Sequence, residues 1–293
     1  MRSSKKQFRQ SILKTFAGGA GIWVQRYLPF WVELVLSRNR HFNRLYSRLR
    51  DAVVSDSMKM VYFPLPKSAC TLFSTFLALN TERCEDFDPV RQGVHGYRLR
   101  NPALQLRDFR VLTDPDYFRF TVIRDPHSRL VSAFLDKMVK PLGFGTISEG
   151  VGSAATDLSF EVLVESLCRM SDAAIEKHFR PQVAFIRNVP LDHIGVFDEL
   201  EVTFQLFRER FAIDIEAEVA EKVRSPKRTQ YAKDGGDHFG YVGDMPVREL
   251  AALKQLPTAE CFYNDRLHAM VAERYSEDLE IYREARAQAG LES

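Results

Sequence analysis

The sequence predicts an α/β fold in which helices flank a central parallel sheet, and three runs of residues predict it. Lys59 to Leu65, KMVYFPL, is a short apolar and aromatic run that ends at Pro66 and leads into a helical pattern, SACTLFSTFLAL. Strand, turn and helix recur at Tyr117 to Ile123, YFRFTVI, which passes through Arg124-Asp125-Pro126 into HSRLVSAFLDKM. A third run, His193 to Phe197, opens into DELEVTFQLFRERF. Strands that alternate with helices pair in parallel and bury both faces, and ligands bind beyond the carboxyl ends of such strands. With 293 residues, 45% hydrophobic and 27% charged, the chain can build one large core and is not disordered.

Taken in order, residues 1–50 hold eleven Lys and Arg against one acid, Glu33, while 51–293 hold 30 basic and 38 acidic residues. The total of +2 is therefore the average of a +10 arm and a −8 remainder. The arm mixes Trp23, Tyr27, Phe30 and Trp31 with arginines. It reads either as a helical extension packed on the domain or as a helix lying on an anionic membrane surface. It is no convincing membrane span, because Gln25 and Arg26 interrupt one apolar stretch and Pro29 and Glu33 the next. No signal-peptide cleavage site or Asn-x-Ser/Thr sequon is evident. The expected division is an extension over 1–55 and a domain over 56–288.

Pro141 to Ala155, glycine-rich, and Ser225 to Gly243, polar, read as loops. The glycines do not link a strand to a helix, which argues against a dinucleotide fingerprint. VRELAALKQL and TAECFYNDRLHAMVAERY, separated by Pro257, read as two amphipathic helices covering one face of the sheet. The four cysteines are scattered, with neither metal-ligand nor disulfide spacing, so reduced thiols in a cytoplasm are expected.

Two turns carry chemistry. In Pro66-Lys67-Ser68-Ala69-Cys70-Thr71, backbone N–H groups freed at a helix start make an anion site, Lys67 adds a charge, and Ser68 and Thr71 add hydroxyls. Its plan is that of a phosphate-binding loop without the glycines of GxxxxGK[ST]. Helix capping beside an incidental lysine is the plainer reading. The second turn, RDPHSRLVS, places Arg124 at a strand end and Ser132 on the following helix. Arginine forks bind phosphate oxygens, so these two make a second phosphate site across the sheet from the first. Pairing of Arg124 with Asp125 is the alternative.

PKSACT and RDPHSRLVSAF, each after a strand, closely resemble the 5′-phosphosulfate and 3′-phosphate segments of sulfotransferases that use 3′-phosphoadenosine 5′-phosphosulfate (PAPS). The variant resembled is that of the carbohydrate enzymes of the heparan sulfate 2-O, chondroitin and HNK-1 type. The resemblance continues through HFRPQ at 178–182, IGVFDEL at 194–200 and YSEDLEIYRE at 275–284, and the absent span and sequons suit a bacterial-type relative. It implies a P-loop-NTPase-like three-layer sandwich and metal-free, in-line sulfuryl transfer from PAPS to a carbohydrate or glycolipid hydroxyl.

By the same resemblance, Lys67 acts on the leaving oxygen. Ser68, Ala69, Cys70 and Thr71 hold the 5′-phosphosulfate, largely through N–H groups, and Arg124 and Ser132 hold the 3′-phosphate. His95 is the expected base and His178 the runner-up, since a near-neutral imidazole can accept a hydroxyl proton. Arg180 either binds an acidic sugar or pairs with Glu176. The cluster Arg224, Lys227, Arg228 and Lys233 falls where relatives close a loop over the donor, and Arg228 is taken as a donor contact. The remaining readings are a kinase or nucleoside triphosphatase with a degenerate loop, and a non-catalytic glycan or membrane-surface binder. No nucleic-acid motif accompanies the basic arm, whose expected partner is an anionic inner-membrane surface.

Overall fold

The computed structural model of the chain describes residues 49, 51–139, 157–222, 239–253 and 255–291. Virtually all of the basic arm, the glycine-rich stretch up to 156, and the 224–233 cluster with Arg228 lie outside them. Four strands form one sheet in sequence order: β1 (Val53–Ser55), β2 (Met60–Tyr62), β3 (Phe118–Ile123) and β4 (His193–Val196). β2, β3 and β4 are parallel, with Met60 opposite Phe118 and Phe120 opposite His193. Each is the centre of a run read from the sequence.

The sheet is mostly parallel, not wholly so. β1 runs antiparallel to β2, with Val54 opposite Val61. Only Asp56 to Lys59 join the two, whereas a parallel crossover needs a dozen or more residues. The chain must therefore turn back, and Lys59 adopts a left-handed φ of 52° in doing so. This strand falls within the last residues read as the N-terminal extension, so the sheet begins before residue 56.

The helices, in order, are α1 (Cys70–Leu79), α2 (Val94–Arg100), α3 (Pro126–Phe134), α4 (Phe160–Arg169), α5 (Val183–Ile186), α6 (Leu200–Phe211), α7 (Ile215–Lys222), α8 (Val247–Ala252), α9 (Asp265–Arg274) and α10 (Ser276–Gln288). α3 continues into a π-helical turn, Leu135–Val139. The pleat sends Met60, Tyr62, Phe118, Phe120 and Val122 to one face, where Phe73 and Phe76 of α1 and Phe204 and Phe207 of α6 complete a core. Ring centroids there lie 4.9 Å apart for Tyr62 and Phe120 and 5.1 Å for Phe120 and Phe207. Val54, Val61 and Phe63 turn to the other face against Leu112, Tyr117 and Ile186. β3 is buried along its whole length, on both faces, although Arg119 and Thr121 alternate with apolar residues.

The closing helices depart from expectation. α8 and α9 pack on α3 and α4 through Val247, Leu250, Leu267 and Val271 against Phe134 and Phe160, a cluster without a strand residue. The helix that reaches the sheet is α10, through Ala285 on Ile123 and Val196. The single helix read over 258–275 is also divided. Glu260–Phe262 is a 3-10 turn, and Asn264 Oδ1 accepts the Leu267 N–H, starting α9 afresh.

Candidate active site

The three parallel strands end on one side of the sheet, and the segment after each contributes to the site. After β2, Lys67 and Ala69 both adopt left-handed backbone, at φ 68° and 56°. Such geometry costs a non-glycine residue about 1–3 kcal/mol and persists only where surrounding contacts impose it. Ala69 is the N-cap of α1 and no side chain caps that helix. The first-turn N–H groups of a helix have no partner within it, so this turn presents donors and the positive end of a ten-residue helix to an anion. The nest exists without glycines.

After β3, the Arg124 guanidinium donates from Nε to Ser128 Oγ (3.1 Å) and from Nη1 to the Lys67 carbonyl (3.3 Å). After β4, the ring of Phe197 lies 4.4 Å beneath the same guanidinium. The two phosphate-type turns are therefore immediate neighbours, not opposite one another across the sheet, because β2 and β3 pair directly. Asp125 caps α3, accepting the Ser128 N–H at 2.9 Å.

A buried glutamine joins the turns. Gln182, with no exposed surface, accepts the Ser68 hydroxyl (3.0 Å) and the Arg124 N–H (3.0 Å) and donates to the Arg124 carbonyl (2.9 Å). Asp278, equally buried, accepts the N–H groups of Gln182 (2.7 Å) and Val183 (2.8 Å). Arg129, 1% exposed, donates to the carbonyls of Pro66, His178 and Arg180. Ser68 ties the turn to its support: its hydroxyl goes to Gln182 and its N–H to the Leu65 carbonyl (3.2 Å). Arg129 spends its Nη donors on backbone carbonyls.

His95 sits on α2 with Nε2 3.1 Å from Thr71 Oγ1 and 3.8 Å from Cys70 Sγ, against the first turn of α1. Burial, then the charges of Arg98, Lys177 and His178, pull its pKa down to about 4. The residue as a whole is open to solvent, but the unperturbed value and the lowered one both leave a neutral imidazole at pH 7. His178 contacts Glu176 at 2.8 Å from Nδ1. Burial opposes ionisation of Glu176, yet its bonds to His178 hold the carboxyl below its ordinary value. Because Glu176 is taken by His178, Arg180 does not pair with it. Arg180 donates to the Ile175 carbonyl (2.9 Å) and its Nε finds no partner among the described residues.

The Lys67 ammonium lies 3.4 Å from Asp136 in the π-helical turn. Ser132 is half-buried one helical turn before Asp136 and one after Ser128. The sequence reading missed Phe197, Ser128, Gln182, Asp278 and Asp136 as site residues. Gln182, Phe197 and Asp278 were present as letters in HFRPQ, IGVFDEL and YSEDLEIYRE, but nothing in their spacing distinguishes a scaffold residue from a ligand contact.

Residues 50–283 match the family model of the sulfotransferase family. A comparison with curated proteins gives no match. The matched segment begins beside β1 and runs through the turns after β2, β3 and β4 into α10, so it takes in the whole described site. The chain belongs to the sulfotransferase family.

Proposed function

We propose that the protein transfers a sulfuryl group from PAPS to a hydroxyl of a carbohydrate or glycolipid acceptor, on a P-loop-NTPase-like three-layer sandwich. One observation carries this reading. The Arg124 guanidinium meets the Lys67 carbonyl, which joins the uncapped start of α1 and the arginine fork in one surface of hydrogen-bond donors. A nucleotide bearing anionic groups at both its 5′ and 3′ positions needs such a surface. When bound, the donor supplies the sulfuryl group and a phosphate leaving group.

The chain's own residues supply the rest. Ala69, Cys70 and Thr71 offer N–H groups to the 5′ anion, and Lys67 neutralises charge that develops at the leaving oxygen. Arg124, seated over the Phe197 ring, and Ser132 hold the 3′-phosphate, with Arg228 as a further contact. His95, neutral and beside the donor turn, takes the acceptor proton. Arg180 meets an acidic group of the sugar, with His178 beside it. A second reading makes His178 the base, because a carboxylate that orients an imidazole is the usual arrangement around a proton acceptor. The basic arm would dock the enzyme on the cytoplasmic face of an anionic membrane.

The test is calorimetric binding of the product nucleotide, 3′-phosphoadenosine 5′-phosphate (PAP), together with labelled-sulfate transfer from PAPS to glycan and glycolipid extracts. A charge-assisted hydrogen bond is worth about 1.5–3 kcal/mol. Lys67→Ala and Arg124→Ala should therefore each weaken PAP by about 10- to 150-fold. Affinity like the wild type in both variants would sink the assignment.

A further inference from the structure

The donor site holds a carboxylate. Asp136 Oδ2 lies 3.4 Å from Lys67 Nζ and 3.4 Å from Lys137 Nζ, and the carboxylate and both ammoniums are only partly exposed. A carboxylate in a surface meant for a polyanion opposes that ligand unless its charge is used. Its placement is specific: α3 presents Ser128, Ser132 and Asp136 at successive four-residue steps, with Arg124 bonded to the first and Lys67 to the last. The π-helical turn that carries Asp136 is a widened turn of a kind frequent at functional sites.

We infer that Asp136 is a positioning residue for Lys67: it holds the ammonium while the donor site is empty and releases it to the donor, with Lys137 taking over the carboxylate. The inference rests on the donor assignment of the preceding subsection. The two equal distances matter here. When the Lys67 ammonium swings toward the leaving oxygen, Lys137 stays beside the carboxylate and keeps its charge balanced near the polyanion. The lysine is thus shared between two anions, and the donor binds against that competition.

This predicts effects of opposite sign. With full-length protein, Asp136→Asn should tighten PAP about tenfold because the competitor is gone, and Asp136→Glu should restore the wild-type value. Lys137→Ala should weaken PAP about threefold because Asp136 then holds Lys67 harder. Both changes should vanish in a Lys67→Ala background, since each acts through that ammonium. Tightening by Asp136→Asn that persists without Lys67 would overturn the proposal in favour of direct repulsion, and so would unchanged or weakened binding in folded Asp136→Asn. If Asp136→Asn fails to fold, the Lys137→Ala cycle decides alone: weakening that needs Lys67 supports the proposal, and weakening independent of it overturns it. Absence of PAP binding by the wild type overturns the donor assignment and this inference together. Failure of the cycles with normal wild-type binding overturns this inference only.

Discussion

Replacing Gln182 by leucine tests whether the two anion turns are held as one unit. The change keeps approximate volume but removes the acceptor of the Ser68 hydroxyl and the Arg124 N–H and the donor to the Arg124 carbonyl. Each buried group left without a partner costs about 1–3 kcal/mol. The Ser68 hydroxyl can rotate and the Arg124 backbone is only part-buried, so the sum sits at the lower end, about 3–5 kcal/mol. That is a large share of a domain stability of about 5–15 kcal/mol. At about 2–4 °C per kcal/mol for a chain of this size, thermal unfolding should fall by about 10 °C, and PAP affinity should drop at least tenfold as the turns separate. Ser68→Ala removes one of the three bonds and should cost about 1 kcal/mol. The same change should cost almost nothing in the Gln182→Leu background, because the shared partner is already gone. Gln182→Leu melting within 2 °C of the wild type with PAP affinity within twofold would refute the hub.

Two further consequences concern backbone and pH. Ala69→Gly removes a Cβ from a φ of 56°; relief of left-handed strain exceeds the entropy cost of glycine, so the variant should gain about 0.5–1 kcal/mol and keep PAP affinity within twofold, and a loss of stability in thermal melts would count against the strain. His95, held down to about 4 by burial and by the charges of Arg98, Lys177 and His178, stays neutral well below pH 6, so the acid limb of kcat/KM should lie near pH 4–5. Its unfolded value is about 6.5, so the unfolded chain binds the extra proton first and stability should fall as pH drops from about 6.5 to 4. Sulfuryl transfer lost in His178→Ala and retained in His95→Ala would assign the base to His178 instead.

The parts legible in the sequence are those fixed by local periodicity and turn chemistry. Three strands, the helices after them, and the positions of Lys67 and Arg124 follow from apolar runs that end in polar turns. β1 escaped because three residues beside a basic segment carry little pattern, and only pairing with β2 makes Val53–Ser55 a strand. The adjacency of the two turns escaped because strand neighbours are not written in spacing. The tie from Ser68 to Gln182 escaped for a related reason. A serine at a helix start looks like a donor to a ligand, and only Gln182, 114 residues away, shows where its hydroxyl goes.

Buried charge explains how so strained a turn survives. Lys67 and Ala69 would relax out of left-handed geometry if the turn were held only by its own bonds. Arg129 fixes the carbonyl of Pro66 just before the turn, and Gln182 fixes the hydroxyl of Ser68 inside it. Both anchors depend on the 178–183 segment, which Arg129 binds through two carbonyls and Asp278 through two N–H groups. Burial pulls the Arg129 pKa down and pushes that of Asp278 up, and each charge opposes that shift in the other. Replacing either one alone would remove the attraction that opposes this cost of burial in the other. The HFRPQ and YSEDLEIY segments therefore belong to the same chemistry as the phosphate turns. Their contribution is to impose on Lys67 and Ala69 a backbone that those residues would not choose alone, which is what keeps the start of α1 open to an anion.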